Sequence, residues 1–96
     1  MLIIAVTFVP HEQYRASFLE AVSHNAQRSL EQEAGCLRFD VCTNEDGSEV
    51  FLYEQYVDDN AFDEVHLKSL HFLDFNEMTS AWIADKKVCR YQLVSK

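Results

Sequence analysis

The chain has 96 residues, of which 48% are hydrophobic, and it carries only two glycines, one proline and a formal net charge of −8 at pH 7. This length and composition predict a single domain, residues 1–96, with its own core. The few, scattered basic residues argue against nucleic acid or an anionic membrane surface as a partner, and no apolar run approaches the roughly 20 residues of a membrane-spanning helix.

The first predicted elements are a buried strand and a long helix. Residues 2–9 are apolar on both alternating faces, which predicts a strand ended by Pro10. This apolar start lacks a basic leader and a small-residue cleavage site, so we expect no signal peptide. Residues 11–33 predict a helix that stops before Gly35. Its core-facing side, at spacings of three and four, comprises Tyr14, Phe18, Ala21, Val22, Asn25 and Ser29.

A hairpin comes next, with strands over residues 36–43 and 49–57 joined by a turn at Asp46-Gly47. On the first of these strands, Leu37, Phe39 and Val41 are expected to share one face. Asp58, Asp59 and Asn60 are candidate caps for a short helix that contains Ala61, Phe62, Val65, His66 and Leu67.

The last predicted elements are a helix over residues 69–84 and a strand over residues 88–94. Ser69 is a candidate cap, and Lys86-Lys87 suit a helix C-terminus. Within the helix, an apolar stripe with one imidazole recurs at spacings of four, three and four, formed by His71, Phe75, Met78 and Trp82.

The element order is βαββαβ, which predicts an α+β, ferredoxin-like fold with a four-stranded antiparallel sheet and both helices on one face. The other face of the sheet remains apolar and needs a cover. A second copy of the chain is the simplest one, so we expect a homodimer.

The three cysteines, Cys36, Cys42 and Cys89, are odd in number and form no CxxC pair. This pattern predicts reduced thiols that act as small buried hydrophobes, and therefore a cytoplasmic protein.

Four segments resemble one family. The run from Glu33 to Val41, EAGCLRFDV, resembles the EPGCLRFDV segment of the antibiotic biosynthesis monooxygenase-like family of dimeric α+β barrel proteins. FLYEQY at residues 51–56 is similar to its FxxYExY strand, and NAQRS at 25–29 to its NARxS piece. DNAF at 59–62 with HLKSLHF at 66–72 resembles its DxxAF and HxxS/TPHF segments, but with Leu70 for proline and one extra residue between Phe62 and His66.

Two polar residues stand on predicted apolar faces. Asn25 lies near the centre of the first helix's apolar face, where its amide would either serve a pocket or bind a neighbouring backbone group. Glu54 alternates with apolar residues on the third strand, and would either face a pocket or pair with Arg38 or Arg90. The resemblance also implies a polar pocket residue at Asn25.

His71 and His66 are the candidate proton-transfer groups, because imidazole titrates near neutral pH and the resemblance carries both residues. The alternative for His71 is a satisfied core histidine. The pair lacks the i, i+4 spacing of ligands on one helical face, so no metal site is expected, although a break near Lys68-Ser69 would let the two rings converge.

Aromatic residues Trp82, Phe75 and Tyr53 are expected either to fill the core or to form flat walls for a substrate. Arg38 is expected to bind an anionic group or a neighbouring side chain. His11 and His24 are interpreted as surface residues.

No dinucleotide, P-loop, haem or iron–sulfur motif occurs, so no cofactor is expected. The resemblance implies a small-molecule enzyme that removes a proton next to a carbonyl or from a phenol. We therefore expect a cofactor-independent monooxygenase acting on a small phenolic, quinol or polyketide-like molecule, with catalytic residues His71, His66, Asn25 and Glu54. The alternatives are an isomerase of a small sugar-like or diketone metabolite and a non-catalytic small-molecule-binding module.

Overall fold

A computed structural model describes residues 1–96 as a four-stranded antiparallel sheet with helices on one face, the predicted ferredoxin-like α+β fold. The strand order in the sheet is β2-β3-β1-β4. The strands are β1 (Leu2–Pro10), β2 (Cys36–Thr43), β3 (Val50–Tyr56) and β4 (Ile83–Gln92). The α-helices are α1 (Arg15–Gln32) and α2 (Leu70–Thr79), with a π-helix (Ala61–His66) before α2 and 3-10 turns at Glu12–Tyr14 and Ser80–Trp82.

The core lies between the sheet and α1. Alternate residues of β1 point into it, and Phe18 and Val22 of α1 are fully buried against them. The inward residues of β1 are Leu2, Ile4, Val6 and Phe8, as the alternation predicts. None of the helices has both the length and the apolar character needed to cross a membrane.

The predicted boundary between the last helix and the last strand is wrong. The helix ends at Thr79, and β4 begins at Ile83 instead of at residue 88. Lys86 and Lys87 therefore belong to an edge strand, where the Lys86 ammonium group lies over the ring of Phe8 at 5.3 Å from its centroid. A lysine stem can cover apolar surface while its charge reaches water, so two consecutive lysines do not require a helix end.

A bulge at Leu37 corrects the predicted faces of β2. Cys36 pairs with Tyr56 and Arg38 with Gln55, so that Leu37 is an extra residue in the ladder. Cys36 and Phe39 are consequently both buried, whereas Leu37 is exposed.

All three cysteines are free, in agreement with the expectation of unpaired thiols, but only Cys36 is buried. Burial raises the pKa of the Cys36 thiol to about 12. Cys42 is exposed and Cys89 half-buried, so the prediction that all three fill the core is wrong for Cys42.

Candidate active site

Two cavities lie on the helix-covered side of the sheet. A groove of about 760 Å³ runs between α1 and α2, and the predicted stripe of His71, Phe75, Met78 and Trp82 lines it. A smaller cavity of about 210 Å³ lies between the helices and the sheet. Asn25 and Phe75 line both and therefore separate the groove from the inner cavity.

One buried carboxylate holds both candidate imidazoles. Oε2 of Glu33 lies 3.0 Å from Nδ1 of His66 and 2.5 Å from Nε2 of His71. Glu33 is only 5% exposed and comes directly after the last residue of α1, where its extended backbone turns the chain out of the helix. Three residues distant in sequence thus form a Glu33–His66–His71 cluster.

The π-helix determines where His66 lies. Its wider turn is closed by a hydrogen bond from the Leu67 amide to the carbonyl of Phe62, five residues earlier, one residue more than an α-helical turn encloses. The ring of Phe62 stacks on that of His66 at a centroid distance of 5.7 Å and an interplanar angle of 17°. His66 is 2% exposed and lines the inner cavity.

A break at Ser69 brings His71 back towards His66, as the sequence allows. The hydroxyl of Ser69 donates to the carbonyl of His66 over 2.7 Å and accepts from the Phe72 amide over 3.3 Å, so the predicted cap starts α2 at Leu70. The two imidazole centroids are then 6.2 Å apart.

The electrostatics of the cluster favour an ionised Glu33. Burial raises the pKa of its carboxyl, but hydrogen bonds and charge interactions with His66 and His71 outweigh burial and leave that pKa below its ordinary value. Each imidazole bonds Glu33 through one nitrogen only. Nδ1 of His71 and Nε2 of His66 remain for other partners, and the two residues line different cavities.

Asn25 lies between the two cavities with an unused hydrogen-bonding atom. The residue is 2% exposed, and its side-chain oxygen Oδ1 has no partner. Its backbone carbonyl accepts the hydroxyl of Ser29 over 2.9 Å. An unpaired buried amide oxygen is costly, and a ligand hydroxyl in either cavity would relieve that cost.

Glu54 lines the inner cavity and is 3% exposed. It pairs with neither Arg38 nor Arg90. Its partner is the hydroxyl of Tyr56, which donates to Oε1 over 2.6 Å. Burial, only partly offset by this hydrogen bond, raises the pKa of Glu54 to about 7. The carboxyl can therefore give or take a proton near neutral pH.

The aromatic candidates separate into two groups. Trp82 lines the groove and stacks on Tyr14 at a centroid distance of 5.5 Å, and Phe75 packs against Phe18 at 5.9 Å. Tyr53 lies on the helix-free face of the sheet, with the Arg38 guanidinium 5.0 Å from its ring centroid.

Arg38 and Tyr53 line neither cavity, so they do not join the other candidate residues. Arg38 instead pairs with Asp40, two residues along the same strand, at 2.6 Å. Of the two histidines interpreted as surface residues, His24 is exposed but borders the groove.

Glu33 and Tyr56 are the site residues that sequence reasoning missed. Glu33 opens the EAGCLRFDV segment, which was the available signal, but at the polar end of a helix a glutamate is typical of a solvated surface. Tyr56 shares with Glu54 the inward face of β3, so the alternation of that strand already placed them side by side.

Comparisons with known proteins identify the family and the fold of the chain. The family model described as antibiotic biosynthesis monooxygenase matches residues 1–78. No curated protein matches the sequence significantly. Among solved structures, a candidate antibiotic biosynthesis monooxygenase from Nitrosomonas europaea is 25% identical, with a TM-score of 0.92 over 99% of this chain and 100% of that chain.

Two further solved structures show the same fold. Rv0793 from Mycobacterium tuberculosis is 22% identical, with a TM-score of 0.89 over 99% of this chain and 96% of that one. A candidate antibiotic biosynthesis monooxygenase from Deinococcus radiodurans is 20% identical, with a TM-score of 0.89 over 100% of this chain and 95% of that one.

Proposed function

This chain belongs to the antibiotic biosynthesis monooxygenase family, and on that premise we propose that it is a cofactor-independent monooxygenase of a small phenolic, quinol or polyketide-like molecule. The observation that carries the proposal is the Glu33–His71 hydrogen bond at the edge of a groove wide enough for such a molecule. The groove falls within the size range of small-ligand pockets, about 300–1,000 Å³.

Proton removal is the first proposed step. Nδ1 of His71 accepts the proton of a substrate hydroxyl, and the ionised Glu33 at Nε2 stabilises the imidazolium that forms. His66 shares that carboxylate and helps to hold its position. Trp82 and Phe75 give the groove aromatic walls on which a flat substrate can pack.

Asn25 is the proposed oxyanion partner, since its side-chain amide borders both cavities and its oxygen is unpaired. The amide nitrogen would donate to the phenolate, and Oδ1 would accept from a second substrate hydroxyl. Glu54 would orient a substrate that reaches the inner cavity.

The phenolate is electron-rich enough to react directly with molecular oxygen. One oxygen atom forms a new bond to ring carbon, the other leaves as water, and the substrate supplies all the electrons as the phenol becomes a quinone. No external reductant is needed for this balance.

Oxygen uptake with a panel of hydroquinones tests the proposal. We expect uptake by the wild-type protein, incorporation of one atom of labelled oxygen into the product, and a loss of about 100-fold in His71→Ala, the lower range for a lost proton-transfer group. His11→Ala, which alters an exposed histidine that lines neither cavity, is the matched control. Equal rates in His71→Ala and wild type would remove His71 from the mechanism, and ligand-induced stabilisation without turnover would indicate a binding module.

Isomerisation of a small sugar-like or diketone metabolite is the second candidate function. It is favoured by Glu54, because a carboxyl with a pKa of about 7 in the inner cavity can return a proton to a different carbon from the one deprotonated. This reaction would incorporate deuterium from heavy water into the product without consuming oxygen.

We also propose that the protein functions as a homodimer. The face of the sheet that bears no helix leaves apolar side chains in contact with water, including Phe51 and Tyr53 of β3 and Tyr91 of β4. Burial of this face against a second copy would remove it from water.

A further inference from the structure

The Glu33–His66–His71 cluster has the chemistry of a metal site as well as that of a proton relay. Its three donor atoms, one from each side chain, all lie within 4.8 Å of one another. Two atoms bound to the same small divalent ion lie about 3–3.5 Å apart when each is about 2.0–2.2 Å from it. The 3.0 Å separation of Nδ1 of His66 from Oε2 of Glu33 already lies in that range, and the 2.5 Å separation of Nε2 of His71 from the same oxygen must widen to about 3 Å. The two nitrogens, within 4.8 Å of each other, must lie within about 3.5 Å once the ion is bound.

We propose that these three residues bind one divalent first-row transition-metal ion, through Nδ1 of His66, Nε2 of His71 and the carboxylate of Glu33. Two imidazoles and one carboxylate suit zinc, cobalt, iron or nickel, whereas magnesium and calcium prefer oxygen ligands alone. The proposal does not depend on the proposed function, because it concerns binding and not turnover.

The surroundings of the cluster are those of a built site. Glu33 and His66 are 5% and 2% exposed, so both ligands are already desolvated and held in place. Oε1 of Glu33 lies 3.2 Å from Nδ1 of His66 and offers a second carboxylate atom. The hydroxyl of Ser29, 3.5 Å from the same nitrogen, supplies a neighbouring polar group.

Three protein ligands leave coordination positions open. A four-coordinate ion held by these three side chains has one position left for a further ligand. The two nitrogens that would bind the ion are the ones that bond Glu33 in its absence. Metal binding and the Glu33–His71 relay are therefore mutually exclusive, and we expect the metal to suppress proton transfer by His71.

Cobalt(II) is the probe, since its visible absorption changes when imidazole and carboxylate replace water. The titration uses untagged, chelator-treated protein in a Cys42→Ser/Cys89→Ser background, because both thiols reach the surface and would compete for the ion. We expect one equivalent of cobalt to bind, zinc to displace it, magnesium to leave it bound, and the melting temperature to rise. Absence of saturable binding would overturn the proposal.

Variants locate the ion. His71→Ala and Glu33→Gln should each weaken cobalt binding at least tenfold, whereas His24→Ala should not change it. Unchanged affinity in both cluster variants, or loss of binding in His24→Ala, would place the ion elsewhere and contradict the proposal.

If a cluster variant does not fold, NMR of the histidine ring nitrogens in the wild-type protein shows which histidines bind the ion. Zinc should shift Nδ1 of His66 and Nε2 of His71 and leave His11 and His24 unchanged, and shifts confined to His11 and His24 would refute the site. If the protein binds no metal, the metal-free protein should still take up oxygen. The metal site and the monooxygenase reaction can therefore be refuted independently of each other.

Discussion

Tyr56 donates its hydroxyl hydrogen to Oε1 of Glu54 over 2.6 Å, although the two residues lie two positions apart on one strand. Neighbouring inward positions of β3 thus form a buried pair whose only carboxyl group loses its hydration on folding. This pair makes the stability of the fold depend on pH.

Glu54→Gln should change that dependence. Burial raises the pKa of Glu54 from 4.5 to about 7, so the folded state binds its proton more tightly than the unfolded state. The free energy of unfolding therefore falls as pH rises between these values, by about 3 kcal/mol in total. The glutamine keeps an acceptor for Tyr56 and cannot ionise, so the variant should lack this fall, and its stability relative to wild type should be greater at pH 8 than at pH 4.

Urea denaturation across this pH range measures the effect, with Glu49→Gln, an exposed glutamate just before β3, as the matched control. A wild-type protein and a Glu54→Gln variant with parallel pH profiles would show that Glu54 does not titrate in this range.

Glu33→Gln should lower kcat of the proposed reaction by about 100-fold while KM changes little, because the amide cannot stabilise an imidazolium at His71. The pKa of Glu33 is lower in the folded protein than in the unfolded chain, so the ionised carboxylate stabilises the wild-type fold at pH values above the ordinary glutamate pKa. This contribution to the free energy of unfolding disappears as pH falls through the pKa of the folded state. The variant should lack this loss in acid.

Steady-state kinetics of Glu33→Gln distinguish a partner of His71 in proton transfer from a group that only binds the substrate. Glu31→Gln, at an exposed glutamate in the last turn of α1, is the matched control. A rise in KM alone would make Glu33 a binding group and not a partner of His71.

Gly35→Ala should move the π-helix. A Cβ atom at Gly35 would lie 2.6 Å from Cβ of Ala61 and 3.3 Å from Cγ2 of Val57, too close for either to remain in place. Overpacking of this kind costs about 1–3 kcal/mol. Because Ala61 begins the π-helix that carries His66, the variant should lose activity as well as stability.

The double variant Gly35→Ala/Ala61→Gly removes one of the two colliding methyl groups and should recover part of both losses. Chemical denaturation and kinetics on the wild type and the two variants test this. If the double variant is no better than Gly35→Ala, contact with Ala61 does not explain the effect.

Phe51→Glu should disrupt the proposed dimer. Phe51 is 38% exposed on the helix-free face of the sheet, where a carboxylate would have to be desolvated at an interface. Light scattering after gel filtration should give twice the chain mass for wild type and a single chain for the variant. Leu73→Glu, which alters an exposed leucine of α2, should stay dimeric. A monomeric wild-type protein would refute the dimer.

The element order, the strand pairing and most of the core can be deduced from local patterns in the sequence. Alternation on β1 and three- and four-residue spacing on α1 each report which face is buried, and the Asp46-Gly47 turn places the hairpin, with Gly47 at a φ of +74°. The start of β4 was not predictable from these patterns, because its lysines are equally compatible with a helix end or an exposed edge strand.

The candidate site was predictable only in part. Asn25 and Glu54 are conspicuous because a polar side chain interrupts an apolar face. Glu33 interrupts nothing in the sequence, and its importance arises from the tertiary fold, which brings His66 and His71 from 33 and 38 positions away. A periodic pattern carries no information about such distances.

The position of His66 depends on how many residues the π-helix contains more than on which residues they are. Glu64 and Val65 in its middle are exposed, and side-chain changes there should be tolerated. Deletion of either residue would instead let the segment relax to an α-helix and rotate His66 by about 100° around the helix axis. The imidazole would swing away from Glu33 and leave a buried anion with one counterpart fewer, so this short segment should accept substitutions freely but deletions hardly at all.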